Sequence, residues 1–290
     1  MWSTSIALAA SIITITSAAP LDGQRQPNHL AKRAEPPFKG WDDAPAEERA
    51  ALQVALQDTY QLASYAQSLW EFYPDILDKY FPPEDLDGVK QVFNNIVPDY
   101  LTAATTPGPI IGDFEIVGTD WLAGLGDDDL CARGFEGYAR NVEKFSPPTR
   151  RWADAHFCPA AFYNYETEIG PAPLLTDLDC STFDLFGEYR MDRSMESLGS
   201  VILHEMMHFN RIGESVFGDN LPEPDNGGAF ITDLDRGYGP SNALRIRRDT
   251  PDLAKRNADN YNFAALEIYW TGVCEEELKG QNGRFGNPIE

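Results

Sequence analysis

Val201-Ile202-Leu203-His204-Glu205-Met206-Met207-His208-Phe209 is the stretch around which this 290-residue chain is organised. Two histidines four apart on a helix point the same way, because 3.6 residues per turn sets i and i+4 one above the other. Such a pair is a pincer for zinc, and Glu205, directly after the first histidine, can hold a metal-bound water and take its proton. The chain has four histidines in all, so two at this spacing around a glutamate make a specific signal. The plainer reading is a buried helix whose histidines only hydrogen-bond to the core, and the apolar flanks fit either. A catalytic zinc takes three protein ligands and leaves one position open, so a third ligand is expected elsewhere in the chain.

Working outward, the histidine helix is expected to start near Ser194 as N-cap and to end around Arg211, before Gly213. Residues 214–229 carry repeated Pro and Gly signals and read as an irregular excursion. A last long helix is expected from Asp249 or Thr250, with Pro251 at its first position, through to Trp270. Upstream, apolar spacing predicts one helix over Ala46–Phe72, ended by Pro74, and a second from Pro83 or Glu84 to Ile96. Phe114–Val117 and Ala161–Glu166 read as short strands, and residues 105–112 as a connecting loop. Asp127-Asp128-Asp129 fits an acidic surface turn better than a calcium loop. The expected fold class is α+β: mostly helical, with a small sheet and a helical N-terminal layer over residues 34–112.

Residues 1–18 have the apolar core and small residues of a secretory signal peptide, too short to span a bilayer. Residues 19–33 end in Lys32-Arg33 and read as a short propeptide, which leaves 34–290 as a single mature domain. Losing residues 1–33 removes Arg25, Lys32 and Arg33 against Asp22, which moves the formal charge from −23 to −25. Such a field disfavours nucleic acid and anionic membranes and favours cationic substrates. The expected localisation is extracellular, the protein a monomer, with no membrane partner. In that setting Cys131, Cys158, Cys180 and Cys274 should form two disulfides, and three pairings are open. His156, two residues before Cys158, reads as structural rather than as a ligand.

Three options exist for the third ligand. The spacing His-Glu-x-x-His-x-x-Gly-x-x-His is ruled out, because Arg211 and Glu214 stand where its Gly and His would fall. Glu267, on the last helix, is a second option. The third is Asp235, and here a resemblance enters. His204-Glu205-x-x-His208, Asp235-x-x-Tyr238-Gly239 and Asn257-Ala258-Asp259-Asn260-Tyr261 together resemble the aspzincins, the fungal deuterolysin and peptidyl-Lys metalloendopeptidase group, over roughly the last hundred residues. The resemblance implies a zincin-like fold, zinc held by His204, His208 and Asp235, water activated by Glu205, and a transition-state donor in Tyr238. From the order of the cysteines it also implies the pairs Cys131–Cys158 and Cys180–Cys274. Thr232-Asp233 departs from the Gly-Thr that usually opens the family's aspartate motif, and the gap between His208 and Asp235 is longer than is typical. Asp259 reads either as an acceptor orienting a ligand histidine or as an ordinary polar residue of a helical turn.

The functional expectation is a secreted zinc endopeptidase that hydrolyses peptide or protein substrates, with one Zn2+ as cofactor. A zincin-fold secreted binding or effector protein without catalysis is the alternative, and a metal-independent matrix protein a third class.

Overall fold

The N-terminal helices and the histidine helix pack so closely that one glycine decides their spacing. Helix α1 (Ala46–Leu69) crosses α4 (Leu198–Met207), the helix that carries His204. A Cβ built on Gly199 would lie 2.5 Å from Asp58 Cβ and 2.9 Å from the Ala55 carbonyl. Thr59 Oγ1 donates to the Gly199 carbonyl at 2.8 Å across the same crossing. Only a residue without a side chain lets the backbones approach this far.

The computed structural model describes residues 36–41, 45–97, 111–144, 150–162, 173–178, 180, 191, 193–218, 230–234 and 238–278. The expected signal peptide and propeptide lie outside them. The fold is α+β, as expected. Strands β1 (Phe38–Lys39), β2 (Phe114–Val117), β3 (Gly137–Lys144) and β4 (Arg150–Phe157) form one sheet in the order β1-β2-β4-β3. β1, β2 and β4 run parallel, and β3 pairs antiparallel with β4, with Gly137 opposite Phe157. The inward residues Phe114, Ile116, Ala153 and Ala155 are fully buried.

Helices α2 (Pro74–Tyr80) and α3 (Leu86–Ile96) follow α1. Pro74 therefore opens a helix rather than merely closing one, as its missing N–H permits at a first turn. The expected second helix is α3, entered through a 3-10 turn at Pro83–Asp85. Val89, Val92, Phe93 and Ile96 bury one stripe of it. Phe114–Val117 is a strand as read, but Pro159–Phe162 makes a 3-10 turn where a strand was expected, and residues 163–166 lie outside the described residues. β1, β3, β4 and helix α6 (Pro240–Asp249) were not anticipated.

Both long C-terminal helices are interrupted where the sequence read as continuous. α4 is capped by Ser197, not Ser194, through a capping box with Ser200; Ser194 sits in the preceding 3-10 turn. The helix stops at Met207, and α5 (Asn210–Phe217) starts afresh, running through Gly213. Asn141 on β3 accounts for the break: its amide donates to the His208 carbonyl and accepts from Asn210 N–H, both at 2.8 Å. One side chain thus satisfies a helix C-terminus and the next helix N-terminus. The final helix is likewise split, into α7 (Pro251–Ala254) and α8 (Ala258–Leu278), with the bridge of Asn257 to Thr232 falling between them. Thr232 N–H donates to the Arg256 carbonyl and the Thr232 carbonyl accepts from Ala258 N–H, so this backbone serves a neighbouring segment instead of a helix.

The disulfides are Cys131–Cys158 and Cys180–Cys274, the pairing implied by the resemblance. Among the described residues no helix is long and apolar enough to cross a membrane.

Candidate metal centre

His204 and His208 project from one face of α4 with ring centroids 5.0 Å apart, as their spacing requires. The segment 230–234 returns across their front. Asp233 Oδ1 lies 3.1 Å from His204 Nε2, and its Oδ2 lies 3.6 Å from His208 Nε2. One ligand atom from each of the three falls within 4.8 Å of the other two. Asp235, the aspartate expected here, lies outside the described residues. The carboxylate brought against the histidines is Asp233, two residues earlier.

The position of Asp233 follows from the chain around it. Ile231 is fully buried, and its carbonyl takes His208 Nδ1 at 3.0 Å. Thr232 is clamped by its backbone to Arg256 and Ala258, and Leu234 N–H donates to Asn257 Oδ1 at 3.2 Å. With its neighbours tied on both sides, Asp233 faces the histidines.

Each imidazole is oriented through Nδ1, which leaves Nε2 turned toward Asp233. The Nδ1 of His204 pairs with Asp259 Oδ1 at 2.7 Å, and the other oxygen of Asp259 accepts from Gly239 N–H at 2.5 Å. Asp259 therefore does orient a histidine, and it also fixes the turn that carries Tyr238. Gly239 has φ +83, the left-handed region a Cβ resists.

Burial resists a positive charge on His204, but Asp233 and Asp259 outweigh it and hold the imidazole pKa well above its ordinary value. Burial also resists ionisation of Asp233, yet His204 and His208 hold its carboxyl well below the usual range. The Asp233 carboxylate is thus paired with positive charge at His204, a demand that a bound dication meets as well as a proton does. Two imidazole nitrogens and a carboxylate form a donor set suited to zinc.

Glu205 is buried beside the pair, and its Oε2 has no hydrogen-bond partner. Burial pushes its carboxyl up, against the pull of His208 and His204. An orphaned carboxylate oxygen in such a place has the character of a functional acceptor rather than a structural one. Gly137 on β3 makes the room: a Cβ there would sit 3.2 Å from Glu205 Oε1.

Tyr238 donates its hydroxyl to Asp233 Oδ2 at 2.8 Å and lays its ring nearly parallel to His204, 6.2 Å away. Burial and the Asp233 carboxylate both raise its pKa, so it acts as a donor. Glu267, the alternative third ligand, is occupied elsewhere: it is ion-paired with Lys79 and accepts from Tyr80 Oη at 2.9 Å. Cys131, His156 and Cys158 also converge, but the two sulfurs are joined to each other and His156 Nδ1 pairs with the Val117 carbonyl. Asp129 accepts from Gly124 and Ala132 N–H, which makes its acidic run a surface turn.

The group opens on a cleft of about 920 Å³ between β3, the start of α4 and the start of α8. Apart from the residues already described, its lining includes Glu136, Arg193, Glu196 and Asn262. None of these four was singled out from the sequence, since no motif marks them.

No family model and no curated protein matches the chain. Among solved structures it is similar to a zinc peptidase from Grifola frondosa, at 16% identity and a TM-score of 0.43, over 77% of this chain and 96% of that one.

Proposed function

We propose that the chain is a secreted zinc endopeptidase in which His204, His208 and Asp233 hold the metal. The observation that carries this reading is the convergence of those three donors beside a buried glutamate with an unpartnered oxygen. When bound, zinc supplies Lewis acidity and lowers the pKa of a water molecule. Glu205 accepts the proton of the attacking water, for which its raised pKa is suited, and returns it to the leaving amine. Tyr238 gives its hydroxyl to the oxyanion as charge develops there, a role that its hydrogen bond beside the histidines, to Asp233, supports. The disulfides and the leader-like residues 1–18 support secretion.

The experiment is zinc analysis and peptide turnover on the mature protein and three variants. One zinc per chain is expected in wild type and in Glu205→Gln, the latter with kcat lower by about 10² to 10⁴. Asp233→Ala should lose stoichiometric zinc while Asp235→Ala keeps it. The reverse outcome would give the ligand role to Asp235, and full turnover by Glu205→Gln would end the role of that residue as base.

A further inference from the structure

The wall of the cleft beside His204 is polar, and one of its charges is already answered from within. Arg193 Nε donates to Glu196 Oε2 at 2.9 Å, and its Nη2 approaches Glu136 Oε1 at 3.3 Å. Both glutamate side chains are mostly buried, at 16% and 25% exposure, while Arg193 is the more exposed partner. A guanidinium spanning two carboxylates supplies, in cis, the cation that such a pair would otherwise take from a ligand.

Asn262 stands in contrast. It lies three residues after Asp259, on the same face of α8, and lines the same cleft. The residue is 1% exposed and its Oδ1 has no partner. A buried amide oxygen left unpaired is costly, and a ligand donor that reaches it recovers that cost.

We infer that the cleft selects an uncharged substrate side chain carrying a hydrogen-bond donor, read by Asn262, because Arg193 already occupies Glu136 and Glu196. The inference rests on the peptidase reading, and it differs from the cationic preference that net charge alone suggests. Burial pushes the Glu196 carboxyl up to about 7, with Arg193 opposing and Glu136 adding to the rise. Without Arg193 the two carboxyls would be left to take up a proton or a cation brought by the substrate.

The test uses three peptides that differ at one position next to the scissile bond, with Gln, Met or Lys of similar length. Wild type should favour Gln over Met by about tenfold in kcat/KM, with Lys no better than Met. Asn262→Leu should bring Gln and Met within about twofold. Arg193→Met should raise Lys by about tenfold, and Arg193→Lys should restore the wild-type order. The same peptides, titrated calorimetrically into zinc-loaded Glu205→Gln protein, read the subsite without turnover. Binding of the Gln peptide about tenfold tighter than the Met peptide upholds the subsite even if wild type cleaves nothing, and then the peptidase reading alone falls. A wild-type preference for Lys, or an unchanged Gln-to-Met ratio in Asn262→Leu, overturns the inference.

Discussion

The two histidines and the aspartate that faces them are held in different ways. His204 and His208 stand on α4, whose backbone is bonded internally, whose start is capped by Ser197, and whose far side is pressed against α1 at Gly199. Asp233 stands on a segment with no regular structure, tied down by the bonds of Thr232 to residues 256 and 258, by Ile231 to His208, and by Asn257 to Leu234. The helical pair is set by geometry that any helix provides. The aspartate is set by a few particular contacts, nearly all made at the entry to α8. The two histidines are thus positioned by the fold and the aspartate by a clamp, and the halves should fail separately.

The largest effect is expected at the clamp. Asn257 is 1% exposed; it accepts from Leu234 N–H and donates to Asn260 Oδ1 at 2.8 Å. Asn257→Ala frees the chain immediately after Asp233 and leaves α4 untouched. Zinc affinity should fall by about 10- to 100-fold, as when other supports of a ligand are removed. Competition with a chromophoric chelator measures it. Affinity within twofold of wild type would show that the backbone bonds of Thr232 hold the segment unaided.

The complementary change loosens the helical side. In Gly199→Ala the new methyl meets Asp58 Cβ and the Ala55 carbonyl, so α1 and α4 must separate. Better helix propensity returns up to about 1 kcal/mol, but overpacking costs roughly 1 to 3 kcal/mol. A net loss of about 1 to 2 kcal/mol in urea unfolding is expected, with zinc affinity per folded molecule unchanged. A large affinity loss here would mean that the two halves are coupled and that the division is wrong.

The same division explains what could be read from the sequence. The shared face of His204 and His208 was legible because a helix brings residues four apart together, with no need of the rest of the chain. The α1 and α3 helices and the strand Phe114–Val117 were legible from local periodicity for the same reason. The approach of Asp233 was not anticipated, since the resemblance points to Asp235, which lies outside the described residues. What brings Asp233 against the histidines is the pairing of Thr232 with Asn257, a contact across 25 residues. The breaks at His208 and Asn257 escaped for a like reason, because each is made by a partner distant in sequence, Asn141 in one case and Thr232 in the other. β3 and β4 carry charged residues at Arg140, Glu143, Arg151 and Asp154 that mask a strand pattern. Arg140 pairs with Asp154, and Arg151 with Glu143, so cross-strand ion pairs stand among the buried alanines of these strands.

The smallest expected effect concerns the approach to α4 and sharpens the comparison by pH. Glu196 immediately precedes the cap Ser197, and its carboxyl is pushed up to about 7 from an ordinary 4.5, by burial first, against Arg193 and with Glu136. Between these two values the folded protein holds a proton that the unfolded chain releases. The contribution of this group to stability is therefore full below 4.5 and is lost as pH rises toward 7 and beyond. Glu196→Gln carries no such proton, so from pH 4.5 to 7.5 its stability should gain on that of wild type, by something on the order of 1 kcal/mol. Urea midpoints for both proteins at a series of pH values give the difference directly, and common effects of the many other carboxylates cancel in it. A difference that stays flat across this window would place the proton elsewhere. Because Glu196 sits on the helical side, the titration should move unfolding without moving the clamp: metal-free protein should give the same proteolysis pattern over residues 230–239 at both ends of the window.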